Sequence, residues 1–140
     1  MKLNSTTLWI IRLIAAVILL QTLYFKFTAH PESVALFTKL GAEPWGRIGT
    51  GIIELITGII LLIPAYTRFG AVLAFGLMIG AISSHLLVIG FQSSGDGGKL
   101  FGLAIAVLIC SIILLVHYRD QLIVDLNILK SKISPAKQNS

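Results

Sequence analysis

Apolar residues fall into four long runs separated by short polar segments. The runs cover residues 8–25, 48–63, 69–90 and 100–118. Each is close to the ~20 residues that a helix needs to cross the hydrocarbon core of a bilayer. The first run is too long for the core of a secretory signal, so we expect a retained helix. The pattern predicts four membrane-spanning helices.

A short amphipathic helix is predicted over residues 31–40, in the longest connection of the chain. Proline at the first helical position and an acidic first turn are typical of a helix start, and Pro31-Glu32 has both. Val34, Phe37 and Leu40 then recur at intervals of three and form one apolar face. We expect this helix to lie on the membrane surface.

A second amphipathic helix is predicted after Arg119. Apolar residues recur there at intervals of three and four, at Leu122, Leu126, Leu129 and Ile133. We expect this segment to lie along the membrane surface and to end in a disordered tail. The predicted organisation is a transmembrane domain over 1–118, with the amphipathic helix and the tail over 119–140.

Composition agrees with this all-α membrane fold and excludes several classes of protein. Of the 140 residues, 56% are hydrophobic and only 12% are charged, and the mean hydropathy is +0.91. Four spans use about 80 residues, which leaves no room for a sizeable catalytic domain outside the membrane. The single cysteine, Cys110, excludes an internal disulfide and a dithiol pair.

The net charge of +5 is distributed as expected for a membrane protein rather than a nucleic-acid-binding one. Most cations flank the apolar runs, where they meet lipid headgroups. A four-span topology places six Lys and Arg on the side of the termini, namely Lys2, Arg68, Arg119, Lys130, Lys132 and Lys137. It places four on the other side, namely Lys26, Lys39, Arg47 and Lys99. This bias predicts that both termini are cytoplasmic.

Polar residues within the spans are the candidate site. Glu54 lies six residues into the second span, about 9 Å deep, and shares one helix face with Arg47 and Thr50. Lys26 and His85 reach the same outer third of the bundle. An ionisable group at this depth is costly unless it is paired or hydrated. We therefore predict ligand or partner binding by these five residues; the structural alternative is that they hold the helices together.

The sequence predicts no metal site and assigns no catalytic residue. The three histidines, His30, His85 and His117, lie at different depths in this topology. Cys110 is interpreted as a small packing residue.

Four stretches of the chain resemble the DoxX family of small four-helix membrane proteins. They read LLQTLYFKF at the end of span one, HPESVALFTKLGAEPWGRIG in the connection, GIIELITGIILLIP in span two and AISSHL in span three. The resemblance covers residues 8–118. It implies a four-helix bundle in the bacterial cytoplasmic membrane, with the family's polar positions at Lys26, Glu54 and His85. It also implies an association with redox partners, because the family's name comes from a subunit associated with a thiosulfate:quinone oxidoreductase.

Two functions follow as hypotheses. The first is an accessory or binding subunit whose outward-facing polar cluster binds a partner, a lipid or a hydrophobic cofactor, with self-association or other membrane proteins as partners. The second is a redox subunit of a membrane oxidoreductase, linked to a quinone or a porphyrin. A transporter is less favoured, because the sequence has no inverted repeat.

Overall fold

The computed structural model describes residues 1–134. The predicted disordered tail, apart from Ser134, lies outside the described residues. Within them the chain forms five α-helices and one π-helical segment, and no strand. The elements are α1 (Ser5–Phe27), α2 (Pro31–Lys39), α3 (Trp45–Leu62), α4 (Thr67–Ser84), the π segment (His85–Ile89) and α5 (Lys99–Ile133). The prediction of an all-α membrane protein with four spanning helices is confirmed.

The four long helices form a ring. Helix α1 packs against α3 and α5, and α4 packs against the same two helices from the opposite side. Helix α2 contacts α1, α3 and the π segment, so it lies across one end of the bundle. We call this end the α2 end; the opposite end, with the N-terminus and the turn between α3 and α4, is the termini end.

Small and polar residues are frequent inside the bundle, whereas its outer surface is apolar, as expected for helices in lipid. Among the described residues, five of the eleven members of the buried core are alanines, and the larger ones include Leu19, Leu61, Met78 and Leu114. On α3 the buried residues are Arg47, Gly51, Glu54, Thr57, Gly58 and Leu61. The polar face of this helix therefore points into the bundle, as its spacing predicts.

A buried arginine closes the termini end. Arg12 is only 3% exposed, and its Nε donates to the carbonyl oxygen of Leu61 at 2.7 Å. Its guanidinium lies 4.0 Å from the centre of the Trp9 ring. Leu61 is one residue from the end of α3, where carbonyls lack partners within the helix and the helix dipole is negative. Arg12 thus caps α3 from α1.

The predicted C-terminal amphipathic helix is present, but it continues α5 instead of beginning a separate element. No glycine or proline occurs between Gly102 and Pro135, so nothing in the sequence interrupts the helix at Arg119. Beyond the bundle, α5 is held by Arg68, whose Nε lies 2.6 Å from Oδ2 of Asp125. Its position on the membrane surface stays a prediction.

Helices α3 and α4 approach each other closely at Gly70, and this contact gives a first prediction. A Cβ at Gly70 would lie 2.9 Å from the backbone nitrogen of Leu61. We expect Gly70→Ala to lower the free energy of unfolding by about 1–3 kcal/mol, because neither backbone yields easily. Thermal unfolding in detergent measures this loss.

Gly80 on the same helix is the matched control, since a Cβ there meets nothing within 4 Å. We expect Gly80→Ala to be neutral or slightly stabilising, because alanine favours a helix. Equal stability of the two variants would contradict the close packing at Gly70.

Candidate functional site

A cavity of about 750 Å³ lies among the helices and extends from the α2 end to the middle of the bundle. Every helix contributes to its lining. The walls are mostly apolar, with Ile18, Leu73, Leu77, Met78, Leu103 and Val107 among them. The polar lining residues include Thr22, Lys26, Thr50, Glu54, His85, Asp96 and Lys99.

An ion pair between α1 and α3 lies in this cavity. Nζ of Lys26 is 2.9 Å from Oε2 of Glu54, and the two side chains are only 13% and 8% exposed. The Thr22 hydroxyl lies 2.8 Å from the same Oε2 and 2.8 Å from the carbonyl oxygen of Leu19. A hydroxyl has one hydrogen, so it donates to one of these acceptors at a time. The pairing offsets the cost of a carboxylate at membrane depth.

The ion pair keeps unused hydrogen-bonding capacity. Among the described residues, no donor reaches Oε1 of Glu54, and the ammonium group of Lys26 has three hydrogens for one carboxylate. The pair can therefore offer both a donor and an acceptor to a third group.

His85 lies where α4 changes to the π segment. Its side chain is buried, and Nδ1 is 2.9 Å from the carbonyl oxygen of Gly90. If Nδ1 carries the hydrogen and donates to that carbonyl, Nε2 is an acceptor. The amide of Gly90 also donates to the carbonyl of His85, closing the π turn at 2.7 Å. π turns occur frequently at functional sites; the sequence pattern predicted an ordinary helix here.

The structure brings four of the five predicted site residues to the cavity, and Arg47 is the exception. Thr50 lines the cavity. Arg47 is buried beside it and donates to Glu43 from Nε and Nη2. Its Nη1 donates to the carbonyl oxygen of Lys26. Arg47 therefore positions the end of α1, which carries Lys26, instead of lining the cavity.

Helix α2 covers the cavity. Phe37 is its buried residue, and Lys39 donates from Nζ to the carbonyl oxygen of Ile89 at 3.0 Å. Glu32 and Ser33 add polar groups to the lining. The amphipathic helix predicted for the membrane surface is thus also a wall of the site.

Asp96 is a lining residue that sequence reasoning missed. Its Oδ1 accepts from the amides of Ser93 and Gly98 at 3.0 and 2.8 Å, and Oδ2 accepts from the amide of Leu100 at 2.9 Å. Burial opposes the charged form, but these three hydrogen bonds outweigh it and lower the pKa of Asp96. The sequence reads Gly95-Asp96-Gly97-Gly98, and the glycines indicated a turn without indicating the carboxylate's role.

This geometry predicts that Asp96 stabilises the start of α5. Asp96→Asn leaves the Leu100 amide without its acceptor, and we expect a loss of about 1 kcal/mol at pH 7. Because the native pKa is lowered, the wild-type advantage is complete above the ordinary value of about 3.9 and disappears as the pH falls through the native pKa. Thermal unfolding from pH 7 to pH 3 measures this difference, with exposed Gln92→Asn as control. Equal stability at pH 7 would contradict the role.

No metal-binding cluster accompanies the cavity. Within residues 1–134, no group of three His, Cys, Asp or Glu side chains is placed to hold a metal ion.

Comparison with known proteins places the chain in a family. Neither the curated proteins nor the solved structures give a match. The family model described as DoxX-like family matches residues 10–116, which is more than half of the chain and includes the Lys26–Glu54 pair, His85 and Asp96. The match and the four-span helical bundle agree with the resemblance seen in the sequence: this chain belongs to the DoxX-like family.

Proposed function

We propose that this protein is an accessory or binding subunit that holds an amphiphilic molecule, a lipid or a hydrophobic cofactor, in the cavity at the α2 end. The observation that carries the proposal is the combination of an apolar cavity of about 750 Å³ with the Lys26–Glu54 pair in its lining. Small-molecule sites have volumes of about 300–1,000 Å³, mostly apolar walls and a few convergent polar groups.

The chemistry of the lining favours a ligand with a polar head and an apolar body. Lys26 can donate to a carbonyl or phosphate oxygen, while Oε1 of Glu54 can accept from a hydroxyl or amine. Leu77 and Val107 offer only apolar contact. If the ion pair only held the helices together, it would need no cavity beside it.

The excess of Lys and Arg on the side of the termini supports an orientation with the α2 end outward. With the family membership, it supports the bacterial cytoplasmic membrane as the location. In that orientation α2 separates the cavity from the outer aqueous phase, and a lipid-soluble ligand reaches the site from the bilayer or past α2.

Native mass spectrometry with lipid extraction, on gently purified protein, tests the proposal. We expect one amphiphile per wild-type chain. Gly76→Leu should lower its occupancy about tenfold, because Gly76 lines the cavity and a Cβ there meets nothing within 4 Å. Glu54→Gln should also lower it about tenfold, since a hydrogen bond to a charged group contributes about 1.5–3 kcal/mol.

Two variants outside the cavity are the controls. Gly102→Leu makes the same change at a glycine of α5 with open space around it, and Asp120→Asn neutralises an exposed carboxylate. Both should keep wild-type occupancy. An empty wild-type protein, or equal occupancy in all four variants, would contradict ligand binding in this cavity. Gly76→Leu keeps the test decisive if Glu54→Gln fails to fold.

A redox subunit linked to a quinone or a porphyrin is the second candidate function. The observation that favours it is the presence of His85 and Glu54 in the lining of one cavity. Imidazole and carboxyl groups are the side chains that most often carry protons in catalysis.

The absorbance spectrum of purified protein and quinone analysis of its lipid extract test this second candidate. A bound chromophore or quinone in the wild type that is lost in His85→Phe would support it. A colourless protein whose extract contains phospholipid and no quinone would reject it, while leaving the binding proposal intact.

A further inference from the structure

The end of α5 presents an apolar stripe that nothing in the bundle covers. Residues 119–133 extend past the last buried residue of α5, Leu114. Leu126, Leu129 and Ile133 are 55%, 53% and 74% exposed. A helix that leaves the membrane with such a face must bury it against a partner or a surface.

The spacing of the stripe is that of a two-stranded coiled coil. With Arg119 at position a of a heptad, Leu122 and Leu129 fall at d, and Leu126 and Ile133 fall at a. The opposite face carries Asp120, Asn127 and Ser131, together with the exposed Val124 and Ile128. The same a positions continue into the spanning part at Ile105 and Ile112, which are 37% and 43% exposed.

The charges beside the stripe fit a second copy in parallel orientation. Asp125 occupies position g and Lys130 position e of the next heptad, and these two positions face each other across a parallel dimer. All copies in one membrane share the same orientation, so their α5 helices meet in parallel. Asp125 already contacts Arg68, but its Oδ1 is 3.5 Å from Nη2 of Arg68 and can accept from a second cation.

From these observations we infer that the protein dimerises through a parallel coiled coil of the two α5 extensions, with Leu122, Leu126, Leu129 and Ile133 at its core. This arrangement is the alternative to the position on the membrane surface that the sequence pattern predicts. Two symmetric pairs of Asp125 with Lys130 of the partner subunit flank the core. This interface lies at the termini end and is independent of the cavity. The segment also lies past residue 116, where the family match ends.

Disulfide cross-linking of the full chain in native membranes tests the interface. Cys110 is the one cysteine of the sequence, so Cys110→Ala gives a cysteine-free background. We expect oxidation to convert most of Leu126→Cys and Ile133→Cys to covalent dimer, because facing a positions bring Cα atoms within the 4.4–6.8 Å that a disulfide needs. Asn127→Cys and Ser131→Cys, on the opposite face, should stay largely monomeric.

A charge reversal tests the flanking pairs without touching the apolar core. We expect Lys130→Glu to raise the dimer dissociation constant in detergent about fivefold, because like charges then face each other twice. Ser131→Glu adds the same negative charge on the opposite face and should leave the constant unchanged.

Two outcomes would overturn the inference. The first is cross-linking that is absent everywhere or equal at Leu126 and Asn127. The second concerns a protein that shows no cross-linking and carries a fluorophore at Leu129→Cys. If vesicles with nitroxide-labelled phosphatidylglycerol quench this fluorophore, the stripe lies on the membrane surface.

Discussion

The ion pair between Lys26 and Glu54 is the interaction on which the α2 end depends. A lone carboxylate at that depth would cost several kcal/mol, so Glu54 requires α1 to bring a cation to α3. The position of the end of α1 decides whether the Lys26 ammonium group reaches Glu54. Arg47 fixes that position by donating to the carbonyl oxygen of Lys26. The end of α1, the start of α3 and the polar part of the cavity are therefore one electrostatic unit.

Both ends of the bundle use a buried arginine in the same way. Arg47 donates to a carbonyl in the last turn of α1, and Arg12 donates to a carbonyl in the last turn of α3. Carbonyls at a helix end lack partners within the helix, and lipid supplies none. A guanidinium reaching across from the neighbouring helix satisfies such a carbonyl and complements the negative end of its dipole. These arginines join helices through backbone groups, while the side chains of Glu43 and Trp9 contact their guanidinium groups.

Hydropathy and spacing were enough to predict the four spans, α2 and the inward face of α3, because each depends on a local pattern. Depth along straight helices was enough to place Glu54 beside Lys26 and in the same cavity lining as His85. Depth alone could not predict that Arg47 turns toward Glu43 and away from the cavity, because the direction of its side chain depends on the path of the connection between α2 and α3. The place of Asp96 in the cavity lining likewise depends on loop conformation. The continuity of α5 could have been predicted, because the segment contains no helix-breaking residue.

Because of the cavity, the two ends of the bundle differ in how tightly their helices pack. At the termini end, Leu61, Ala71 and Leu114 are fully buried, and the helices touch directly. At the α2 end the helices line the cavity, so fewer contacts between them oppose separation. Local opening follows the weakest packing; α2 and the loop at residues 90–98 can thus exchange their amide hydrogens while the opposite half stays closed. A protein this small therefore combines a closely packed half, which sets the helix arrangement, with a half that opens more easily.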